Sequence, residues 1–217
     1  MSSSQQAREN LGKGEEYNPG ATTEARQAAT VILLRGAQER LEVLLVKRTP
    51  QARFMGGVWV FPGGAVEQHE GTEHDNDEAH RRAAVRELRE EANIALVSPE
   101  ELVKFSRWIT PAEVKVRFDT HFFLAPLPPD QEPRVDGEEC VDLGWFTPDG
   151  ALQAHERQEI VLVFPTIKHL EQLSEFKSAS ELLRVAAGRE VAPVQPRIVL
   201  EGKGGRVVLP GEPGYIR

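Results

Sequence analysis

A stripe of carboxylates lies within a helix-forming stretch that runs from Glu78 to Ala92. Glu87, Glu90 and Glu91 stand at helical offsets of 0, 3 and 4, which places the three side chains on one face. Alanine, valine and leucine residues of the same stretch fall on another sector, which we expect to face a core. Like charges at these offsets repel by roughly 0.2–0.5 kcal/mol per pair, and a divalent cation would offset that repulsion. Because every donor is an oxygen, the stripe predicts a site for Mg²⁺ or Mn²⁺.

Two glycines precede this helix, in the run Phe-Pro-Gly-Gly at 61–64. Glycine lets the backbone come close to a ligand, and the carbonyl of Gly63 could then add a further oxygen ligand. The alternative is a solvated helix face on which Arg86 and Arg89 form weak ion pairs with the glutamates. The glycine run and Glu78 together favour the metal site.

These residues resemble the Nudix box. In that family the box reads glycine, five residues, glutamate, seven residues and then Arg-Glu-hydrophobic-x-Glu-Glu-x-Gly-hydrophobic. Gly64, Glu78 and the run from Arg86 to Ile94 follow this order. Gly64 lies eight residues too far upstream of Glu78, and we assign the surplus to Gln68–Asp77. Asn93 replaces the second glycine, and asparagine is the next-best residue for the left-handed turn that ends a helix.

The resemblance implies a metal-dependent hydrolase that cleaves a nucleoside diphosphate linked to another moiety. Arg86 would orient the carboxylates through an ion pair with Glu90, which follows it by four residues. Glu78 would fix the loop against the start of the helix, rather than bind metal. The implied ligands of one to three metal ions are the Gly63 carbonyl, Glu87, Glu90 and Glu91.

Two carboxylates remain open as the proton acceptor in such a reaction. One is Glu91 on the helix, and the other is Glu139, which stands in a loop six residues before Trp145. Its neighbours Glu138 and Asp136 cannot be distinguished from it by sequence. A solvated acidic loop is the alternative interpretation for all three.

Residues 44–64 carry a second motif, which reads Leu-Leu-Val-Lys-Arg-Thr, three residues, Arg53, three residues, Gly57, three residues and Phe-Pro-Gly-Gly. It is similar to the signature of the coenzyme A diphosphatase branch of the family, with valine and threonine where that signature has threonine and serine. The resemblance implies that Arg48, Arg53 and Gly64 bind the substrate, and arginine forks do recognise phosphate oxygens. The alternative is that both arginines only solvate a strand end and a loop.

The substrate implied by this branch is coenzyme A or acyl-coenzyme A, cleaved to 3′,5′-ADP and (acyl-)4′-phosphopantetheine. ADP-ribose or NADH is the alternative within the enzyme class, because the box cleaves diphosphates generally. A catalytically silent nucleotide-binding or RNA-binding Nudix domain is the alternative from another class. Loss of a metal carboxylate would mark such a domain, and none is lost in this chain.

The composition limits the possible binding partners and the expected cellular compartment of the protein. The chain has 217 residues and a formal net charge of −8, which argues against nucleic-acid binding and leaves local arginines to hold an anionic small molecule. The longest apolar runs fall short of the ~20 residues that cross a bilayer, so we expect no membrane association. The single Cys140 excludes an internal disulfide and fits the cytoplasm. A homodimer stays open.

The order of the elements predicts an α+β fold. Strands are expected at 28–34, 41–47, 58–60, 102–109, 117–125 and 141–146, with a closing hairpin at 197–200 and 206–209. Helices are expected at 78–92, with Asp77 as N-cap, and at 149–156, 166–173 and 179–187. This mixture indicates a mixed sheet covered by helices, in agreement with the α/β/α sandwich that the Nudix resemblance implies. We expect a flexible polar tail at 1–24, the Nudix core at 25–148, and C-terminal helices and a hairpin packed on the core at 149–217.

Overall fold

The computed structural model describes residues 16–18, 20–36, 40–52, 54–71, 77–201 and 204–215. The strands in these ranges are β1 (Arg26–Arg35), β2 (Glu42–Arg48), β3 (Trp59–Val60), β4 (Gly63–Ala65), β5 (Val103–Ile109), β6 (Phe118–Pro126), β7 (Cys140–Phe146), β8 (Pro193–Val194), β9 (Arg197–Glu201) and β10 (Gly204–Val208). The helices are α1 (Asp77–Ala92), α2 (Pro148–Glu156), α3 (Phe164–Leu173) and α4 (Ala179–Ala186), with a 3₁₀ turn at Pro99–Glu101.

Strands β1 to β8 form one sheet in the order β3-β2-β1-β6-β5-β8, with β4 paired to β1 and β7 paired to β2. β1 runs parallel to β6, whereas its contacts with β2 and β4 are antiparallel. β9 and β10 form a separate antiparallel hairpin. The predicted α+β fold with a mixed sheet and a closing hairpin is therefore confirmed.

Alternate residues of β1 face opposite sides of the sheet, as the period of a strand requires. Ile32 and Leu34 belong to the core that includes buried residues of α2, α3 and α4. Val31 and Leu33 pack instead with Leu88 of α1. Helices thus cover both faces, which confirms the predicted α/β/α sandwich.

Helix α1 begins and ends close to the predicted residues. Its apolar face is fully buried through Ala83, Ala84, Leu88 and Ala92. Asn93 follows the last turn with φ at 54°, the left-handed conformation expected there. Asp77 lies inside the first turn instead of capping it, and its carboxylate accepts hydrogen bonds from Arg81 and Lys104 at 2.8 Å each.

Two features of the strand pairing bear on the site. β1 and β2 pair antiparallel at Leu34–Val43 and Arg35–Glu42, and the rest of β2 pairs with β7 and β3. Gly63 and Gly64 of the glycine run lie in β4 and pair with Thr30 and Ala29 of β1. This pairing carries the glycines to the strand beside α1, which is what positions the site described below.

The described part of the predicted N-terminal tail is attached to the core. The backbone N–H of Asn18 donates to the carbonyl of Glu113 at 2.7 Å, and that of Lys115 donates to the carbonyl of Glu16 at 2.9 Å. The hydroxyl of Thr23 also donates to the carbonyl of Lys115 at 2.8 Å. The described residues 16–18 and 20–24 thus include contacts with the loop at 113–115, and the division of the chain into a tail, a core and a C-terminal part stays a prediction. No helix in the described ranges is long and apolar enough to span a bilayer.

Candidate active site

Strand β4 brings the two glycines against the carboxylate face of α1. The amide N–H of Gly63 donates to Oε2 of Glu91 at 2.9 Å. A Cβ atom on Gly64 would lie 2.2 Å from Oε1 of Glu87, and one on Gly63 would lie 2.4 Å from the hydroxyl oxygen of Thr30. Backbone atoms of Ala29 and Thr30 lie within 2.7 Å of the Cβ position at Gly63, so no side chain fits there. At Gly64 the obstacle is the carboxylate of Glu87, which an added side chain would displace.

Arg86 joins the carboxylates of α1 to the loop that precedes the helix. One terminal nitrogen donates to Glu87 at 2.7 Å and to Glu90 at 2.9 Å. The other terminal nitrogen donates to the carbonyl of Ala65 at 2.9 Å. The two oxygens of Glu70 accept from Nε and from this second nitrogen at 2.9 and 3.2 Å. A single guanidinium thus orients two glutamates of the helix and fixes the loop behind them.

Glu70 makes the loop contact that the sequence analysis assigned to Glu78. Glu70 is only 3% exposed, whereas Glu78 is exposed and pairs with Arg82 on the next turn of α1. Arg82 also donates to the carbonyl of Glu70, so among the described residues Glu78 reaches the loop through that arginine. Glu70 follows Gly64 after five residues, which is the spacing of the Nudix box, and the surplus residues therefore follow Glu70. This corrects both the role of Glu78 and the placement of the surplus.

The charge of Glu87 is poorly compensated in this arrangement. Its carboxylate is buried, and burial raises its pKa although the hydrogen bond and charge of Arg86 oppose the rise. The negative charges of Glu90 and Glu139 raise it further. The charge of Arg86 is therefore too little to compensate the acidic groups around Glu87.

The carboxylate of Glu91 lies deeper and its protonation is shifted more. Burial raises its pKa to about 7 against the hydrogen bond from Gly63, and the charge of Glu87 adds to the rise. Arg48 at the end of β2 lies 3.7 Å from Oε1 of Glu91 and offsets the shift only in part. At neutral pH this side chain is close to half protonated unless a further cation joins it.

Oxygen donors on one helix face are suited to a hard divalent cation. Within the described ranges, no three acidic, histidine or cysteine side chains converge at metal-binding distance. The carboxylates point instead at Arg86, at the amide of Gly63 and towards Arg48. The helix α1 fixes the backbone positions of Glu87, Glu90 and Glu91.

A pocket of about 380 Å³ opens between this carboxylate face and the N-terminal end of α3. Among the predicted site residues, those that line it are Arg48, Gly63, Gly64, Glu87, Glu91 and Glu139. Glu90 is more exposed and borders a neighbouring groove together with Arg86 and Asn93. Arg53 lies outside the described residues, so its part in substrate binding stays a prediction.

The acidic loop before β7 contains three carboxylates that the structure distinguishes. Asp136 accepts backbone hydrogen bonds from Glu138, Glu139 and Cys140 at 3.2, 2.8 and 2.9 Å, which lower its pKa although partial burial opposes them. Glu139 lines the pocket, and its carbonyl accepts from the amide of Thr49 at 2.8 Å. Glu138 is exposed and is not part of the pocket wall. Asp136 therefore shapes the loop, and Glu139 is the carboxylate that it presents.

Three residues of the site were not found by sequence reasoning. Glu70 could have been found by counting from Gly64 instead of back from the helix. Arg26 at the start of β1 lines the pocket mouth, with its guanidinium 5.2 Å from the centre of the Phe118 ring. Thr166 on α3 also lines the pocket. Neither Arg26 nor Thr166 belongs to a local motif, so only the folded chain connects them to the glutamates.

The NUDIX domain model matches residues 25–164 of this chain. The chain belongs to the Nudix family. The Nudix domain thus includes the glycine run, α1 and the acidic loop, and the prediction of a Nudix hydrolase domain is confirmed. Nudix hydrolases generally use divalent metal ions, in agreement with the acidic character of the site.

Relatives and solved structures agree with this assignment. The chain is 28% identical over 192 residues to a Caenorhabditis elegans protein named as a nudix hydrolase, covering 72% of this chain and 63% of that protein. It is 34% identical over 122 residues to the human acyl-coenzyme A diphosphatase NUDT19, covering 53% of this chain and 32% of that protein. A crystal structure of a NUDIX hydrolase from Alicyclobacillus acidocaldarius superposes with a TM-score of 0.67 at 28% identity, covering 76% of this chain and 97% of the other. The chain therefore spans less than two thirds of both curated relatives.

Proposed function

We propose that this Nudix domain hydrolyses the diphosphate of coenzyme A or acyl-coenzyme A to 3′,5′-ADP and (acyl-)4′-phosphopantetheine. The observation that carries the proposal is the surplus of buried carboxylate on α1, which opens on a pocket where Arg48 is also present. A surface of this kind attracts divalent cations, and a cation-loaded carboxylate face binds a diphosphate.

The metal would be Mg²⁺ or Mn²⁺, held by Glu87, Glu90 and Glu91 with the carbonyl of Gly63 as a further oxygen ligand. When bound, such an ion neutralises charge on the diphosphate and lowers the pKa of the attacking water. Arg86 keeps Glu87 and Glu90 on the same side of the helix, and Glu70 holds Arg86 in place. The arginine therefore orients the carboxylates without itself contacting the reacting atoms.

The proton of the attacking water would pass to Glu139 or Glu91. Glu139 lines the pocket on a loop that Asp136 rigidifies, so its carboxylate can reach a water in front of α1. Glu91 has a pKa raised to about 7, which suits a general base near neutral pH. Glu91 is also a proposed metal ligand, and a metal would lower that pKa again. We therefore favour Glu139 as the base.

Two arginines in the pocket support an anionic substrate. Arg48 lies beside Glu91, where it would contact the diphosphate, and Arg26 stands at the pocket mouth. The choice of coenzyme A is supported by the motif at 44–64 and by the name of the human relative, an acyl-coenzyme A diphosphatase. ADP-ribose or NADH is the second candidate, since nothing in the carboxylate face itself distinguishes one diphosphate from another.

A comparative hydrolysis assay tests this function. Coenzyme A, an acyl-coenzyme A, ADP-ribose and NADH are incubated with the protein in Mg²⁺, in Mn²⁺ and in EDTA, and products are separated by chromatography. We expect the highest kcat/KM for coenzyme A or its acyl form, 3′,5′-ADP as a product, and no turnover in EDTA. A clear preference for ADP-ribose would refute the coenzyme A substrate. No turnover of any diphosphate would favour a silent nucleotide-binding domain.

A further inference from the structure

The N-terminal end of α3 forms the pocket wall opposite the carboxylates. Val163, Pro165 and Thr166 all line the pocket. Val163 precedes the helix and has no side chain that could cap it, and the first turn carries no acidic residue. The helix has ten residues, so its end carries a partial positive charge that is not offset by a neighbouring carboxylate on the same turn.

The side-chain hydroxyl of Thr166 is a further hydrogen-bond donor at this end of the helix. The residue as a whole is only 4% exposed, and within the described residues its hydroxyl forms no hydrogen bond. The hydroxyl oxygen is not among the fully enclosed polar atoms that lack a partner, so it keeps access to solvent, and Thr166 lines the pocket. The carbonyl of Val163 accepts a hydrogen bond from the backbone N–H of Ile167 at 3.0 Å and not from this hydroxyl. A ligand in the pocket is therefore the natural partner for the hydroxyl.

We propose that the N-terminus of α3 and the Thr166 hydroxyl bind a phosphate group of the substrate other than the diphosphate at the carboxylates. The proposal rests on the proposed function and names a part of the substrate that the pocket distinguishes. Helix N-termini supply N–H donors with a favourable dipole, and in this first turn they are those of Phe164 and Thr166, because Pro165 has no N–H. Arg48 sits beside Glu91, where it is assigned to the diphosphate, and Arg26 packs over the Phe118 ring at the pocket mouth.

Coenzyme A carries such a group, a 3′-phosphate in addition to its diphosphate. With the diphosphate at α1, a phosphomonoester on the same nucleotide would have to find a second set of donors inside the pocket. α3 starts where the match to the Nudix domain ends, at residue 164, so Thr166 lies outside the part shared with the family model. The phosphate site at α3 would therefore determine which diphosphate is preferred, whereas the hydrolysis itself would depend on the carboxylates of α1.

Binding without turnover provides the first test. Affinities for 3′,5′-ADP and for 5′-AMP are measured by calorimetry in EDTA, for the wild type, Thr166→Val and Thr166→Ser. We expect the wild type to bind 3′,5′-ADP about ten- to a hundredfold more tightly than 5′-AMP, the range for a hydrogen bond to a charged group. Thr166→Val should lose most of that preference and Thr166→Ser should keep it, since serine retains the hydroxyl. Thr166→Ala serves as a second hydroxyl-free variant if valine disturbs folding.

Three outcomes would overturn the proposal. One is equal wild-type affinity for the two nucleotides, and another is a preference that survives in both hydroxyl-free variants. A third is an equal loss of affinity for both nucleotides in Thr166→Val, which would place the 5′-phosphate at α3 instead.

Measurements of turnover distinguish a failure of the proposed phosphate site from a failure of the proposed enzyme function. The ratio of kcat/KM for coenzyme A to that for 3′-dephospho-coenzyme A should fall about ten- to a hundredfold in Thr166→Val, with the value for the dephospho substrate nearly unchanged. If the wild type hydrolyses coenzyme A and Thr166→Val keeps the ratio, the phosphate site is refuted and the enzyme function stands. If the nucleotide preference depends on Thr166 but no diphosphate is cleaved, the phosphate site stands and the enzyme function is refuted.

Discussion

The carboxylates at the two ends of α1 differ in how far basic side chains compensate their charge. The paired-charge cluster at its N-terminal end consists of Asp77, Arg81 and Lys104 together with Asp119 and Arg107 on the adjoining strands. Burial alone would raise the pKa of both aspartates, but the hydrogen bonds from their basic partners lower the pKa of each. At this end, each carboxylate is matched by at least one cation at 2.7–2.9 Å.

The glutamate cluster at the C-terminal end consists of Glu70, Glu87, Glu90 and Glu91, with Arg86 among them and Arg48 at 3.7 Å from Glu91. Here burial wins, and the pKa values of Glu87 and Glu91 are raised. Both clusters are partly buried and both lie on one helix, so burial does not distinguish structure from function. The balance of charge does, because a surplus of buried carboxylate must be offset by protonation or by a cation supplied from outside.

Among the variants of the two clusters, Glu91→Gln in the glutamate cluster is expected to have the largest effect. The change removes a buried negative charge that nothing fully compensates, so the fold should be kept while kcat falls about a thousandfold or more through loss of a metal ligand. Glu90→Gln should show the same pattern. Circular dichroism and metal-dependent turnover of the two variants check this. Near-normal turnover in either variant would remove that glutamate from the metal site.

Glu139 is expected to give the next largest effect. Because it lines the pocket as the proposed base, Glu139→Gln should lower kcat by about 10²–10⁴ while the affinity for Mn²⁺ stays nearly unchanged. Glu138→Gln is the matched control, since it alters an exposed carboxylate in the same loop. Parallel loss of Mn²⁺ affinity would make Glu139 a ligand instead, and full activity would leave Glu91 as the acceptor.

Local pattern was enough to predict most of the elements and the carboxylate stripe. The strand alternation of β1 and the helical offsets of Glu87, Glu90 and Glu91 are read within one element, and the structure places these residues accordingly. The ion pair of Arg86 with Glu90 was predicted in the same way. The glutamate that fixes the loop could not be, because counting back from the helix reaches Glu78, counting forward from Gly64 reaches Glu70, and only packing decides between them.

Contacts between segments that are distant along the chain could not be predicted from the sequence. β4 exists because Gly63 and Gly64 pair with β1, a contact that no periodicity indicates in a three-residue strand. Thr166 reaches the pocket because α3 crosses the opposite face of the same sheet region. Such residues come from the fold and not from any motif, and they are where specificity within a shared family fold can differ.

Asp119→Asn breaks the paired-charge cluster. Arg107 donates to both oxygens of Asp119 at 2.9 and 2.7 Å, and the aspartate is 5% exposed. Removing the negative partner of a buried pair typically costs about 3–5 kcal/mol, so the free energy of unfolding should fall by about that amount. Turnover at a temperature where the variant stays folded should be unchanged. A stable variant with reduced kcat would mean that the two clusters are coupled through α1.

The pH dependence of stability provides a smaller and more selective comparison. The pKa of Glu91 is raised from 4.5 to about 7 in the folded protein. Between these values the folded protein binds more protons at Glu91 than the unfolded chain does, so this residue lowers the free energy of unfolding of the metal-free protein as pH rises from about 4.5 to about 7, by about 3 kcal/mol for the full shift. The raised pKa of Glu87 acts in the same sense. His121 and His169, whose pKa values burial lowers from 6.5 to about 3 and about 4, act in the opposite sense over much of the same interval, and Asp77 and Asp119 do so only below about pH 4.

The contribution of Glu91 is therefore measured as a difference between two proteins: urea unfolding in EDTA at pH 5 and pH 8 is compared for the wild type and Glu91→Gln, and the change from pH 5 to pH 8 should be less favourable to the folded wild type by up to about 3 kcal/mol. Saturating Mn²⁺ should reduce this gap because a bound cation favours the ionised carboxylate. The same pH dependence in both proteins would assign it to other groups.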